Sequence, residues 1–348
     1  MKQIEVGILG GTGMVGQHFI RFLQGHPWFK LTWLGASDRS AGKKLKDATA
    51  WRLDGGMPGT SAEITVSESK PGSAPRLVFS AMDASIATEI ERDFAQAGHI
   101  VVSNSRNHRM ELDVPLVVAE VNPGHLELVR AQQRNRGWKG MIVTNPNCST
   151  IVLTMALAPL AKFGIQRIVA ATMQAVSGAG YPGVASMDIL ANVIPFIGSE
   201  EEKMQQETQK ILGGIAGGQS QPLDARVSAH CNRVAVVDGH VVTTSVEFSS
   251  KPTVAEAQAA LEQFQSIPQE RKLPSAPARP VIYMPEPDRP QPRRDAAREN
   301  GMSVFVGRLR ACPVLDLKFV ACGHNTIRGA AGAAVLNAEL LASEGYLD

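Results

Sequence analysis

The sequence has few of the features that mark secreted, membrane-spanning or nucleic-acid-binding proteins. Its four cysteines include no C-x-x-C pair, which argues against a zinc ribbon, a dithiol redox motif and a disulfide framework. The formal net charge is only +2, so there is no electrostatic footprint for nucleic acid or an anionic membrane. No apolar run approaches the roughly 18 residues that span a bilayer, and the best candidate, 151–161, contains Thr154 and Pro159.

The composition that remains is that of a globular protein. Of the 348 residues 44% are hydrophobic and 20% are charged, and about 150 residues per domain predicts two domains. The amino-terminal stretch lacks the long apolar segment and the cleavage site of a secretory signal. We therefore expect a cytoplasmic protein with no membrane or nucleic-acid partner.

The first half of the sequence alternates short apolar runs with helical patterns. An apolar run at 4–9 ends in glycines, and the next segment places Val15, Phe19 and Leu23 on one helix face. Three further strands are predicted at 31–36, 77–81 and 100–103, and a helix is predicted at 85–97. Alternating strands and helices form parallel, doubly wound sheets, so residues 1–147 are predicted to be an α/β, Rossmann-type dinucleotide-binding domain.

The second half has longer, β-branched segments, which are typical of a mixed or antiparallel sheet. Strands are predicted at 166–176, 233–237, 241–248 and 314–320. A helix rich in charged and amide side chains is predicted at 200–212. These elements predict an α+β domain over 148–328.

Two segments of the second half do not fit a regular sheet. Residues 268–292 contain eight prolines, which exclude a regular helix or a central strand. We interpret this segment as an extended, ordered loop or a subunit-contact arm, with a flexible linker as the alternative. The Ala-rich pattern at 329–341 predicts a helix that packs back on the first domain, so 329–348 would complete that domain.

The glycines after the first strand form the first candidate site. Gly10, Gly13 and Gly16 permit a tight turn, a close approach of the backbone to a phosphate and close packing of helix on sheet. Their position between a strand and a helix indicates dinucleotide binding. The alternative is a glycine turn that serves packing alone.

The turn after the second predicted strand bears on the choice of cofactor. Asp38 is the type of residue that bonds a ribose 2′-hydroxyl, whereas arginine accommodates a 2′-phosphate. Ser37, Arg39, Ser40 and two following lysines outweigh the single aspartate, because a phosphate dianion needs donors and positive charge. The turn favours NADP over NAD, with a solvated basic turn as the alternative.

Cys148 is the candidate nucleophile. It lies in T-N-P-N-C-S-T, where a helix is predicted to begin, so the thiol would face unpaired amide hydrogens and the positive end of the helix dipole. That environment lowers the pKa of a thiol and favours the reactive thiolate. The alternative is a buried, inert cysteine.

A thiolate nucleophile needs an acid/base partner, and eight histidines are available. His240 follows a tight V-D-G turn that could hold its ring rigidly, and His230 and His324 are its rivals. Arg233, seven residues before His240, could bind a substrate carboxylate through two hydrogen bonds. A metal is not expected, because the ordinary ligand spacings are absent from the set His230, Cys231, Cys322 and His324.

Several segments, taken together and in order, resemble aspartate-semialdehyde dehydrogenase, in the branch typical of archaea and fungi. The resemblance implies an α/β plus α+β architecture like that of glyceraldehyde-3-phosphate dehydrogenase, with residues 148–328 as the catalytic and dimerisation domain. The matching segments are 10–16, 103–109, 145–150, 174–180, 238–240, 314–319 and 323–332.

The resemblance implies reversible, NADP-dependent reduction of L-aspartyl 4-phosphate to L-aspartate 4-semialdehyde, with release of inorganic phosphate. This reaction serves the diaminopimelate route to lysine and the synthesis of threonine and methionine. Cys148 is implied to form a thiohemiacetal and then a thioester, and His240 is implied to be the acid/base that takes the proton. The family works as homodimers or homotetramers.

Further residues are assigned by the same resemblance. Gln174 would position the intermediate, Arg233 would grip the α-carboxylate, and Arg109 would bind phosphate. Glu200 and Lys203 resemble the pair that receives the substrate ammonium and the phosphate, although S-E-E-E-K departs from the common E-E-W-K and leaves a neighbouring glutamate open. The cofactor-binding candidates are Gly10, Thr12, Gly13, Met14, Val15, Ser37, Arg39, Ser40, Ser80, Ser177, Gly178 and Asn325.

Two other functions remain as alternatives at this point. A malonyl-CoA reductase would use Cys148 and NADPH on a CoA thioester, but malonyl-CoA has no ammonium for Glu200 to bind. A nucleotide-sensing protein that had lost catalysis would not need Cys148, His240 and Arg233 together.

Overall fold

The computed structural model describes residues 3–347 and contains two six-stranded sheets. The first sheet is entirely parallel, with the strand order β3-β2-β1-β4-β5-β6, which is the order of a dinucleotide-binding doubly wound sheet. Its strands are β1 (Ile4–Leu9), β2 (Phe29–Ala36), β3 (Val66–Glu68), β4 (Leu77–Ser80), β5 (Ile100–Ser103) and β6 (Met141–Thr144).

Every residue of β4, β5 and β6 is buried, as expected for parallel strands that are covered by helices on both faces. The strands predicted at 4–9 and 100–103 have the predicted bounds, and those at 31–36 and 77–81 differ by one or two residues. Strands β3 and β6 were not predicted, because three- and four-residue strands carry too little periodicity and depend on their neighbours for pairing.

The turn from β1 to the first helix requires glycine at two places. Gly10 has φ +74°, a conformation that side chains disfavour. A Cβ atom on Gly16 would lie 2.4 Å from the carbonyl oxygen of Gly10, so only glycine lets the helix cross this close to the strand. The helices of this half are α1 (Met14–Leu23), α2 (Leu45–Ala48), α3 (Gly59–Ala62), α4 (Ala84–Gln96) and α5 (Leu128–Arg136).

The second sheet is mixed, with the strand order β10-β7-β11-β14-β13-β12. The β10–β7 and β12–β13 pairs are parallel and the other pairs are antiparallel. A separate hairpin joins β8 and β9. The strands are β7 (Ile165–Gln174), β8 (Gly214–Ala216), β9 (Gln219–Gln221), β10 (Arg226–Arg233), β11 (His240–Phe248), β12 (Val281–Met284), β13 (Val304–Ala311) and β14 (Leu317–Gly323).

The strand predicted at 233–237 is wrong. The chain forms β10 before this segment and leaves the sheet after Arg233; Val176 then donates its N–H to the carbonyl of Val236. The valine-rich segment after Arg233 therefore forms a loop beside the site and not a strand. The predictions at 166–176, 241–248 and 314–320 are confirmed with shifted ends.

The proline-rich segment 268–292 is ordered and contains β12, an edge strand between Pro280 and Pro285. An edge position tolerates flanking prolines because one side of the strand has no ladder to complete. The remaining helices are α6 (Cys148–Leu157), α7 (Ser186–Ile189), α8 (Glu200–Ile211), α9 (Val254–Glu262), α10 (Ile267–Glu270), α11 (Pro292–Asp295) and α12 (Gly332–Ser343). Short 3₁₀ or π turns lie at Pro123–Glu127, Ala158–Phe163, Val176–Ala179, Glu299–Gly301 and Ile327–Ala331.

The last helix, α12, returns to the first sheet. Its Val335 and Leu336 are fully buried in one apolar cluster with Val6, Phe19 and Phe79. A separate cluster lies between α6 and the second sheet. Within residues 3–347, no helix has the length and apolar character needed to cross a membrane.

One face of the second sheet is not covered by any other part of residues 3–347. Along β7 the side chains alternate, with Ile168 and Ala170 buried and Val169 47% exposed. We call this surface, together with the apolar side chains of the loop 186–196, the open face. The exposed members of that loop are Met187, Leu190, Val193 and Phe196.

Candidate active site

A cleft of about 2010 Å³ runs along α1 and between the two halves of the chain. It lies at the carboxyl ends of the parallel strands, where doubly wound sheets bind their ligands. Residues from both halves line it, so neither half forms the site alone. The predicted site residues among them are Met14, Val15, Arg109, Cys148, Ser177, Gly178 and Asn325.

Cys148 is the first residue of α6, and its side chain is partly exposed. Asn147 caps the helix: its Oδ1 accepts hydrogen bonds from the backbone N–H of Ser149 at 2.9 Å and of Thr150 at 3.2 Å. An asparagine cap fixes the first turn of a helix. The cap therefore sets the position of the thiol.

His240 is the partner of this thiol. Its Nε2 lies 3.1 Å from Sγ of Cys148, and its ring is fully buried at the start of β11. The backbone N–H of Ala175 donates to Nδ1 at 3.1 Å. An acceptor nitrogen carries no proton, so the neutral ring holds its proton on Nε2, facing the sulfur.

The electrostatics differ from the expectation that the helix start lowers the thiol pKa. Burial, followed by the carboxylate of Glu200, raises the pKa of the Cys148 thiol to about 12, against the lowering effects of Arg109 and Arg233. Burial, followed by Arg233, lowers the pKa of His240 to about 3. The pair is therefore a neutral thiol and a neutral imidazole near pH 7, because desolvation outweighs the helix dipole.

Gln174 and Arg233 end the neighbouring parallel strands β7 and β10, where they are partners in register. Both side chains are buried. Arg233 donates from NH1 to the carbonyl of Ala175 at 2.8 Å, and Gln174 donates to Oγ1 of Thr172 at 3.3 Å. The end of this strand pair thus brings a cation and an amide beside the thiol–imidazole pair.

The two site residues predicted on helix α8, Glu200 and Lys203, lie beside the start of α6. Oε1 of Glu200 accepts from Nδ2 of Asn147 at 2.8 Å, and Nζ of Lys203 lies 3.4 Å from Oε2 of Glu200. The neighbours face elsewhere: Glu201 accepts from the N–H of Cys231, and Glu202 is exposed. Glu200 is thus the one of these three glutamates that contacts the nucleophile's cap.

Arg109 is buried beside the start of α6. Its NH1 donates to Oε1 of Glu207 at 2.9 Å and its NH2 donates to the carbonyl of Asn104 at 2.8 Å. Its Nε is buried and has no hydrogen-bond partner among residues 3–347. NH1 and NH2 each carry a second N–H, and Arg109 lines the cleft, so the guanidinium can donate to a ligand there.

The start of α1 fits a phosphate. Its cap residue, Gly13, has no side chain to occupy the first N–H groups, and free N–H groups at a helix start bind anions. The cleft wall opposite also needs glycine, since a Cβ on Gly178 would lie 2.9 Å from NH1 of Arg233 and 3.0 Å from Cε1 of His240.

Both amide atoms of Asn325 already have hydrogen-bond partners within the protein, which was not expected for a residue that contacts a cofactor. Its Oδ1 accepts from the N–H of Gly239, and its Nδ2 donates to Oγ of Ser177, both at 2.8 Å. The amide therefore braces the turn before His240 against the loop after β7.

The other cofactor candidates lie at the same end of the sheet but outside the walls of this cleft. Ser80 is fully buried at the end of β4. Ser40 donates its N–H to the carbonyl of Ser37 at 2.8 Å in the turn after β2. The complete set outside the walls is Gly10, Thr12, Gly13, Ser37, Arg39, Ser40 and Ser80.

Three functional contacts were missed by sequence reasoning: the cap by Asn147, the N–H of Ala175 and the carboxylate of Glu207. Asn147 had a signal, because asparagine directly before a predicted helix is a preferred cap residue, whereas the contact of the Ala175 N–H depends on backbone geometry. Glu207 could have been found from the sequence. It belongs to a set of charged residues at helical spacing on one face of α8, at positions 200, 203, 207 and 210.

A dinucleotide-binding sheet that meets a paired cysteine and histidine in one cleft is typical of one class of protein, the nicotinamide-dependent dehydrogenases. Two family descriptions match the chain, "Semialdehyde dehydrogenase, NAD binding domain" over residues 5–129 and "Semialdehyde dehydrogenase, dimerisation domain" over residues 157–328. The chain belongs to the aspartate-semialdehyde dehydrogenase family, as its relatives show.

The aspartate-semialdehyde dehydrogenase of Archaeoglobus fulgidus is 49% identical over 341 residues, covering 98% of each chain. That of Schizosaccharomyces pombe is 46% identical and covers 99% of each chain. The crystal structure of the Candida albicans aspartate-semialdehyde dehydrogenase with NADP superposes with a TM-score of 0.93, at 43% identity and 99% coverage of each chain. The archaeal and fungal resemblance of the sequence is confirmed.

Proposed function

We propose that this protein catalyses the reversible, NADP-dependent reduction of L-aspartyl 4-phosphate to L-aspartate 4-semialdehyde and inorganic phosphate, in the synthesis of lysine, threonine and methionine. The observation that carries the proposal is the 3.1 Å pair of Cys148 and His240 at a helix start within the cleft. Relatives at 44–49% identity are named for the same semialdehyde.

In the synthetic direction Cys148 attacks the acyl carbon of L-aspartyl 4-phosphate. A carbon–sulfur bond forms, the carbon–oxygen bond to phosphate breaks, and the thiol proton leaves with the phosphate. The resulting thioester holds the acyl group, whose carbonyl carbon would take a hydride from NADPH when that cofactor is bound. The carbon–sulfur bond then breaks to release the aldehyde, and the sulfur regains a proton from solvent.

The geometry changes the role implied for His240. For the ring to take the thiol proton at Nε2, the proton already on Nε2 would have to move to Nδ1, where the N–H of Ala175 already donates. We propose instead that His240 keeps its Nε2 proton and donates a hydrogen bond to the charge that develops on sulfur and on the substrate oxygen. This replaces the acid/base role.

The substrate groups can be matched to the charges around the thiol. Arg233 suits the α-carboxylate, and Glu200 suits the ammonium. Arg109 and Lys203 suit the phosphate, because Arg109 has a free donor and Lys203 lies on the same helix face as Glu200. Gln174, at the end of β7, suits the carbonyl of the intermediate.

For the cofactor, the uncapped start of α1 suits the diphosphate. Gly10, Thr12, Gly13, Met14 and Val15 form this turn, and Ser37, Arg39 and Ser40 suit the 2′-phosphate of NADP. Ser177, Gly178 and Asn325 suit the nicotinamide side, and Ser80 supports the sheet beneath. We propose that residues 1–147 with 329–348 form the cofactor domain and that 148–328 form the catalytic domain.

The open face supports a homodimer, or a tetramer of such dimers. Val169, Leu190 and Phe196 are 47%, 64% and 74% exposed, and apolar patches of this kind mark protein interfaces. Light scattering at micromolar concentration is expected to give at least a dimer, and a monomer would contradict this. Four free cysteines fit the reducing cytoplasm.

The experiment that tests the function is NADP reduction with aspartate semialdehyde, measured with and without phosphate. Phosphate-dependent reduction is expected. A parallel assay offers malonyl-CoA and NADPH, and oxidation of NADPH there, with no reaction of the semialdehyde, would overturn the proposal.

A further inference from the structure

Glu207 is a buried carboxylate that the proposed reaction does not use. It is 2% exposed on α8, on the same face as Glu200 and Lys203. Burying a carboxylate is unfavourable unless its oxygens are satisfied. The hydrogen-bond partners of Glu207 therefore indicate its role.

Its two oxygens contact two different parts of the site. Oε1 accepts from NH1 of Arg109 at 2.9 Å, and Oε2 accepts from the backbone N–H of Asn147 at 2.6 Å. Arg109 is the proposed phosphate ligand, and Asn147 directly precedes Cys148. A single carboxylate thus links the phosphate cation to the peptide that carries the nucleophile.

A second residue of the same face, Lys210, has a different task. Its Nζ donates to the carbonyls of Arg109, Glu111 and Val114 at 2.7 to 2.8 Å. Lys210 therefore holds the backbone of the loop, whereas Glu207 holds the guanidinium itself.

We propose that Glu207 is a positioning residue that orients the guanidinium of Arg109 and the Asn147–Cys148 peptide together, so that phosphate binding and thiol reactivity are coupled. This rests on the proposed function, because it takes Arg109 as a phosphate ligand. A phosphate that draws Arg109 toward itself weakens its bond to Oε1, and the same carboxylate then pulls more strongly on the N–H of Asn147.

The variant Glu207→Gln tests the proposal because a carboxylate accepts at both oxygens, whereas an amide accepts at only one. The amide nitrogen would face either Arg109 or the N–H of Asn147, donor against donor, so one link must break. The matched control is Glu202→Gln, the same change at an exposed position of α8.

The measurements use the full chain with NADP and semialdehyde, and they record kcat, the KM for phosphate, the KM for semialdehyde and the rate of Cys148 alkylation by iodoacetamide. In Glu207→Gln we expect the KM for phosphate to rise at least about ten-fold, whereas the KM for semialdehyde should change little. Added phosphate should change the alkylation rate of the unmodified protein, and this response should be lost. Glu202→Gln should match the unmodified protein.

The proposal is overturned if Glu207→Gln folds and retains both the phosphate KM and the alkylation response, or if only one of the two changes. If that variant does not fold, Glu207→Asp shortens the same carboxylate, and the same two outcomes decide. Failure of the proposed function is separate, since the unmodified protein would then show no phosphate-dependent reduction of NADP with the semialdehyde.

Discussion

Two helices of this protein begin at the same end of the first sheet, and they begin differently. Helix α1 follows β1 with Gly13 as its cap residue and no side-chain cap, whereas α6 follows β6 with the side chain of Asn147 bonded to two N–H groups. The first start leaves its N–H groups free. The second has them occupied and is held by two carboxylates of α8.

The difference separates binding from catalysis. An uncapped start offers its N–H groups and its dipole to an anion, which suits a cofactor that must come and go. A capped start is fixed, which suits a nucleophile that must stay within 3.1 Å of its histidine. In the proposed function, the uncapped helix start binds the cofactor and the capped helix start holds the nucleophile.

The largest effect is expected when the thiol at the capped start of α6 is removed. In Cys148→Ala we expect turnover to fall at least about 10⁴-fold, because no covalent intermediate can form. NADP binding at the other start should be unchanged by fluorescence titration. Cys312→Ala, at a cysteine outside the cleft, is the control, and normal turnover in Cys148→Ala would contradict the covalent mechanism.

Adding a cap to α1 would make the two starts alike. Gly13 has φ −79° and ψ 170°, and a Cβ there would meet its nearest atom at 3.5 Å, so Gly13→Asp fits. We expect the cofactor-free protein to gain about 0.3 kcal/mol, and NADP affinity to fall on the order of 100-fold because the carboxylate repels the diphosphate.

Gly13→Asn provides the matched cap without the charge. Calorimetry should show a similar gain in stability and a smaller loss of affinity. Unaltered NADP affinity in Gly13→Asp would mean that the diphosphate lies elsewhere.

Removing the cap of α6 is expected to have a smaller effect. Asn147→Ala leaves the N–H groups of Ser149 and Thr150 unbonded and should cost about 1 kcal/mol in urea unfolding. It also removes the donor to Glu200, so kcat should fall about ten-fold. Thr253→Ala, at the capped start of α9, should cost similar stability with full activity. Equal activities in the two variants would contradict a positioning role for Asn147.

The smallest expected effect concerns pH. The pKa of His240 in the folded protein, about 3, lies below the roughly 6.5 of an unfolded histidine. The unfolded state therefore takes up the proton first, and the stability that the neutral ring contributes above about pH 6.5 is lost as pH falls toward 3. His240→Gln should lose about 0.7 kcal/mol less than the unmodified protein between pH 7 and 6. Equal losses in urea unfolding would contradict the lowered pKa.

Much of the site was visible in the sequence because its residues fall at ends of elements. Gly13 follows a strand, Cys148 begins a helix, and His240 follows a glycine turn, so each is marked by local chain geometry. The strand predicted from Arg233 to Val237 was wrong, because a run of β-branched residues indicates burial rather than strand pairing, and Arg233 instead ends β10. Strands β3 and β6 were missed because their pairing comes from neighbours.

The architecture of the two sheets and the family could be predicted from the sequence, because periodicity, glycine turns and helix starts are local properties of the chain. The protonation of the site could not, because it depends on how distant segments pack. Burial reversed the expected shift of the Cys148 pKa, and the N–H of Ala175 placed the proton of His240 on Nε2. Desolvation and hydrogen bonds between distant segments exist only once the chain has packed, so no local pattern carries them.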